Sequence, residues 1–202
     1  RPGLRMHWIH PQYPDRQVRL AYCLNLHAAE DVAGTLEGMR RITLPLRDRL
    51  ANDRPFGVGV YLPDSAAREL AAPSGADALD TFANFFKDEG LDPFTFNAFP
   101  FGGFQSDDLK ADVFKPTWME KPRVNYTLAV LHIAQHLAHV TNSGAKPGHL
   151  SISTHSGMFG AWVNDEDDHK ACARGMARVI EACAGIEASG GPCVVLSLEA
   201  EP

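Results

Sequence analysis

The sequence predicts an α/β fold built on a parallel sheet, and three observations predict it. Five short apolar runs bounded by turn residues are spaced along the chain, and segments with helical periodicity separate them. Polar side chains able to do chemistry follow the carboxyl ends of those runs. Runs this short, rich in β-branched and aromatic residues, favour buried strands over helices. Strict alternation of strand and helix then requires parallel strands joined by crossover helices.

The first predicted strand is VRLAYCLNLH (18–27), which delivers Asn25 and His27. A helical segment follows, with Val32, Leu36, Met39, Leu46 and Leu50 on one side and Pro45 as a kink or break. The second strand, FGVGVYL (56–62), leads to Asp64. The helix ADALDTFANFFKDEG (76–90) places Leu79, Phe82 and Phe86 together and stops at glycine. The third strand, PFTFNAF (93–99), carries Asn97.

A long connection, 100–122, holds Phe101, Phe104, Lys110, Phe114, Lys115 and Trp118. Loops of this length are uncommon in compact domains and often act as lids, or else pack their aromatic residues on the rim. A helix from Arg123 to Thr141 is apolar over most of its surface. On it, His132, His136 and His139 share a face, but Ile133 stands where a zincin needs glutamate, so a solvated stripe is expected. The fourth strand, HLSISTH (149–155), delivers His155 and Ser156. The last helix opens NDEDDHK, with Asn164 as the expected cap and carboxylates suited to the helix dipole. The fifth strand, CVVLSLE (193–199), hands over Glu199, with Glu201 two residues beyond.

Two architectures satisfy this order, an open doubly wound sheet and a closed (β/α) barrel. A nucleotide-binding open sheet carries a glycine-rich turn after its first strand, whereas this chain has NLHAAED there. Catalytic groups at the ends of successive strands fit the barrel instead. A full barrel needs eight strands, so residues 1–202 are expected to be the N-terminal part of one (β/α)8 domain. The absent initiator Met agrees with a fragment. Dimerisation completing the barrel is the alternative.

Composition narrows the function. The chain has 202 residues, a net charge of −6 and no clustered Lys and Arg, which disfavours nucleic acid as a partner. No apolar run is long enough to span a bilayer. Cys23, Cys172, Cys183 and Cys193 lie in apolar runs without C-x-x-C spacing. They are expected to be buried free thiols in a reducing compartment, which points to the cytoplasm.

Glu199 follows an apolar strand and would face the barrel mouth. A buried carboxylate needs a metal, a cation or a proton. Glu201 shares its side of an extended chain and is a second candidate. His27 and His155 end strands, where neutral imidazole suits a borderline divalent ion. Asn97 is expected to hydrogen-bond a substrate or a turn.

With these residues in place, the chain resembles the xylose-isomerase-like barrel superfamily, and within it the metabolite traffic protein EboE family. The stretches that carry the likeness are YCLNLHAAED, FNAFPFGGF, SISTHSGMFG and LSLEAEP. The resemblance implies a divalent metal (Zn, Mn or Mg) at the strand ends, with Glu199 at the position of a recurrent ligand. His155 matches a ligand in the His-Pro-Gly turn of endonuclease IV, with Ser156 in place of the proline. Asn97 stands where those nucleases have histidine, which argues against their three-metal site. The implied chemistry is sugar or sugar-phosphate isomerisation or epimerisation, with Glu199 and His155 as catalytic groups and metal ligands, and Glu201 as a further ligand. His27, Asn97, Phe101, Lys115 and Trp118 would contact a small sugar-like or phosphorylated metabolite. A homo-oligomer is compatible with this. An endonuclease-IV-like phosphodiesterase and a non-catalytic binding barrel are the alternatives.

Overall fold

The computed structural model describes residues 4–14, 17–27, 29–51, 54–102, 111–141 and 149–200. Five parallel strands form one sheet: β3 (Tyr22–Cys23), β4 (Phe56–Tyr61), β5 (Leu91–Asn97), β6 (His149–His155) and β7 (Cys193–Glu199). A two-stranded antiparallel hairpin, β1 (His7–Ile9) with β2 (Gln17–Arg19), precedes them. The helices are α1 (Val32–Gly38), α2 (Leu44–Leu50), α3 (Asp64–Ala71), α4 (Ala76–Asp88), α5 (Lys121–Thr141) and α6 (Glu166–Ala188).

The strands lie in the order β3-β4-β5-β6-β7, the order in which they occur in the chain. A doubly wound sheet reverses its strand order at a switch point, and no reversal occurs among the described strands. Right-handed crossovers that always step the same way place their helices on one side of the sheet. Side-chain alternation agrees. Val58, Val60, Phe96, Leu150, Ile152 and Val194 point one way and are buried. On the opposite side, Thr95 pairs in register with Ser151, Asn97 with Ser153, and Ser153 with Ser197. That face is half-exposed, small and polar, and Ser151 Oγ donates to Thr95 Oγ1 at 2.8 Å. The sheet is open among the described residues; closure into a barrel is not part of the observed architecture.

Several elements depart from the sequence expectation. The run 18–27 is not one strand but the end of β2, the two-residue β3 and a 3-10 turn at Leu24–Leu26. The hairpin is held by a distant ion pair: Arg19 forks onto Asp92 of β5 (2.6 Å to Oδ1), stacks 3.9 Å from the Phe94 ring, and His7 Nε2 lies 2.8 Å from Asp92 Oδ2. Helix α3 was not anticipated, and the cap of α6 is Asp165 rather than Asn164. Asp165 accepts from the Asp167 and Asp168 amides, while Asn164 donates to Asp168. Pro45 falls in the first turn of α2, after a π-helical segment, Met39–Thr43, that continues α1. Pro93 lies within β5 beside a register shift at Val58 and Gly59, as expected where a residue brings no ladder donor.

Candidate functional site

The carboxyl ends of β4 to β7 meet the connection between β5 and α5, and His155 is the centre of that meeting. It ends β6, has no exposed surface, and is the in-register partner of Glu199 at the end of β7. Neighbouring strands run about 4.8 Å apart, and in-register residues share a face. Glu199 is half-buried. The structure therefore brings together two of the three residues expected to act as ligands. Glu201 lies outside the described residues.

The His155 imidazole is enclosed by rings. Phe99 and Phe114 each lie 5.2 Å from it and Trp118 lies at 6.4 Å, all edge-on. Its Nδ1 accepts a long hydrogen bond from the Gly157 amide at 3.4 Å, and Nε2 has no partner of hydrogen-bonding geometry. Burial, reinforced by the Arg123 charge and partly offset by the Pro116 carbonyl, lowers its pKa to about 3. The ring is neutral at physiological pH, and with Nδ1 accepting from Gly157 its proton sits on Nε2, which is a donor and not a free lone pair.

Arg123, in the first turn of α5, is the functional-site residue that the sequence reading missed. It is fully buried, donating from Nε to the Pro116 carbonyl at 2.9 Å and from Nη1 to the Ala98 carbonyl at 2.8 Å. Nη2 has no partner among the described residues. Burial pulls its pKa down to about 10, against the opposing influence of Tyr126, Glu120 and Asp64. It joins both ends of the 98–116 connection to one helix. Tyr126 adds to this, its hydroxyl lying 2.6 Å from the Leu62 carbonyl and 3.2 Å from that of Pro100. Asp64 is buried beside Arg68 at 2.8 Å; burial raises its pKa, and Arg68 and Arg123 moderate the rise. The signal available in the sequence was a cation on the stripe that α5 buries, one turn before Tyr126 and Thr127.

The other expected site residues are placed apart from the pair. His27 is buried behind β3, its Nε2 3.1 Å from the Tyr22 hydroxyl and its ring against Gly38 of α1. Burial, then Arg41, lowers its pKa. It does not face His155 and Glu199. Asn97 does lie on the polar face of the sheet, where its Oδ1 accepts from the Phe99 amide at 2.8 Å and shapes the turn. Phe101 packs against Tyr126 at 5.4 Å. Trp118 is fully buried and donates its indole N–H to the His155 carbonyl at 3.0 Å, so it supports the site from beneath. Lys115 is exposed, pairs with Asp112 at 2.8 Å and lies 5.0 Å from the Trp162 ring. Phe104 and Lys110 fall outside the described residues. Residues 111–118 thus cover His155 by packing Phe114 and Trp118.

The histidine stripe of α5 faces an open groove at the other end of the sheet, beside Ser189–Pro192. There His132 and His139 are exposed and His136 Nε2 meets Asp80 at 2.8 Å. All four cysteines are free; Cys23 is exposed, contrary to the expected burial.

As a cation site, the Glu199–His155 pair is a partial fit. The Glu199 carboxylate is a suitable donor for a divalent ion, whereas His155, with Nδ1 accepting from Gly157 and the proton on Nε2, offers no free lone pair. The Arg123 charge beside His155 opposes one. Among the described residues, no group of three His, Cys, Asp or Glu side chains is arranged to hold a metal, and no helix is long and apolar enough to cross a membrane. No family model matches the chain, and no curated protein or solved structure matches it either.

Proposed function

We propose that this chain provides the first five strands of a (β/α)8 barrel of the sugar isomerase and epimerase kind, related to the EboE family and acting in the handling of a small, sugar-like or phosphorylated metabolite. The observation that carries the reading is the sequential, all-parallel strand order with His155 and Glu199 in register at its carboxyl end. Such an order is what a barrel requires of consecutive strands. The small polar face opposite the helices suits the interior of a closed sheet, and the far edge of β7 is free to pair with a further strand among the described residues.

A divalent ion, when bound, would supply polarisation of a carbonyl oxygen. Glu199 would hold it, with further ligands from outside the described residues. Glu199 or a neighbouring carboxylate would accept the proton beside that carbonyl. His155, held neutral under its aromatic cover, would donate Nε2–H to a substrate oxygen. Residues 111–118, which cover His155, would exclude water while the proton moves.

The test is elemental analysis and an aldose–ketose and epimer interconversion assay on the full-length protein and its Glu199→Ala variant. One divalent ion per chain, lost together with turnover in the variant, is expected. Unchanged metal content would remove Glu199 from the ligand set, and absence of interconversion across sugar and sugar-phosphate substrates would reject the reaction class.

A further inference from the structure

We propose a second, soft-metal site, beside the mouth of the sheet but built from other donors, in which Cys172, Met158, Met176 and His169 hold a cuprous ion. These four side chains line one pocket of about 250 Å³ between the β6–α6 connection and the start of α6. Their convergence follows from helix geometry. His169, Cys172 and Met176 stand at i, i+3 and i+7 on α6 and so share a face. Met158 comes from the connection opposite. Gly157 beside it adopts φ 151°, a conformation side chains rarely take, and a Cβ there would lie 3.7 Å from Cys172 Sγ. The thiol therefore faces the connection that carries Met158.

The donor set selects the ion. Thioether and thiolate sulfur are soft ligands that favour Cu(I), while carboxylates and carbonyls suit harder ions. The carboxylate at the rim, Asp168, is already engaged: its Oδ2 accepts from the Asn164 amide at 2.9 Å and from Asn164 Nδ2 at 3.0 Å. Cys172 is buried, while Met158 and Met176 are half-buried and His169 is exposed at the entrance. This leaves an apolar sulfur cradle with an imidazole at its mouth. Binding breaks the S–H bond, releases that proton to solvent and forms the S–Cu bond, with no change in oxidation state.

The test is titration of the reduced full-length protein with Cu(I) under anaerobic conditions against a chromophoric Cu(I) chelator. The background carries Cys23→Ser and Cys193→Ser, which silence the two more accessible thiols. One equivalent of Cu(I) retained is expected, and Cys172→Ala should abolish it. Met158→Leu and Met176→Leu keep the packing volume and remove only sulfur. Each should weaken retention by at least the roughly tenfold that loss of a supporting group costs a metal site, with the metal-free melting temperature little changed. The proposal is overturned if the chelator removes all Cu(I), if Cys172→Ala retains it, or if the double Met→Leu variant binds as tightly as the parent. Zinc or manganese content at the mouth should not respond to these variants, which separates this site from the one proposed for Glu199.

Discussion

The indole N–H of Trp118 donates to the carbonyl of His155 at 3.0 Å, and the Trp118 amide donates to the Gly157 carbonyl at the same distance. One residue of the β5–α5 connection thereby fixes the end of β6 from two directions. Replacing it by phenylalanine keeps a ring but leaves the His155 carbonyl unsatisfied in a buried place, a loss of about 1–3 kcal/mol. Replacing it by alanine adds a cavity, for a total of about 3–5 kcal/mol. Urea denaturation midpoints should rank wild type, Trp118→Phe and Trp118→Ala in that order. Equal midpoints for wild type and Trp118→Phe would show that the indole bond contributes nothing.

His155 makes stability depend on pH in a stated direction. Its folded pKa of about 3 lies below the ordinary value of 6.5, so between these values the unfolded chain binds the extra proton. Stability therefore falls as pH drops through 6.5 towards 3 and gains nothing further from this group above 6.5, with a slope of at most about 1.4 kcal/mol per pH unit. His27, also lowered by burial, adds in the same direction. The difference between wild type and His155→Leu isolates the one residue. The variant should show a shallower loss of unfolding free energy between pH 6 and pH 4, and parallel curves would disprove the buried neutral state.

Arg123 is bonded to two backbone carbonyls that belong to opposite ends of one connection. Arg123→Met retains the aliphatic length and leaves both carbonyls without a donor, at about 1–3 kcal/mol for each buried group. Residues 111–116 should then loosen first, seen as faster limited proteolysis there before any change at α6. Uniform acceleration along the whole chain would indicate global unfolding and reject a local role.

The elements legible in the sequence were those whose pattern is local. HLSISTH and CVVLSLE are β6 and β7 to the residue, because alternating or continuous apolar runs ended by turn residues leave little choice. Helical periodicity likewise gives Cys172, Met176, Val179, Ile180 and Cys183 as the core side of α6, and Cys172, Val179 and Cys183 are buried there while Ile180 is exposed. What escaped depends on partners far away in the chain. The β1–β2 hairpin is anchored by Arg19 on Asp92, 73 residues on, and nothing within HWIHPQYP announces that pairing. Helix α3 has no side-chain cap and is eight residues long, too short for periodicity to identify it. At the site, the strand-end positions of His155 and Glu199 were legible, whereas their shared register follows only from the strand pairing. His27 was misplaced because its supposed strand is a 3-10 turn, which rotates the ring towards α1 and Tyr22.

Two glycines in α6 make opposite predictions from one cause. A Cβ at Gly175 would sit against the Trp118 carbonyl, well inside the 3.0 Å that such atoms essentially never cross, so the helix can dock on the 117–119 turn only with glycine there. Gly175→Ala gains about 1 kcal/mol of helix propensity but forces backbone apart. Overpacking of this kind costs about 1–3 kcal/mol, and backbone that cannot rotate away belongs at the upper end. Gly185 lies in the same helix, is exposed and has nothing within 4 Å of an added Cβ. Gly185→Ala should therefore stabilise by about 0.5–1 kcal/mol. Thermal midpoints that move in opposite directions are expected, with amide protection lost at Met119 and Cys172 in Gly175→Ala alone. A stabilised Gly175→Ala would mean that α6 does not rest on Trp118, and the cover over His155 would lose its support from that side.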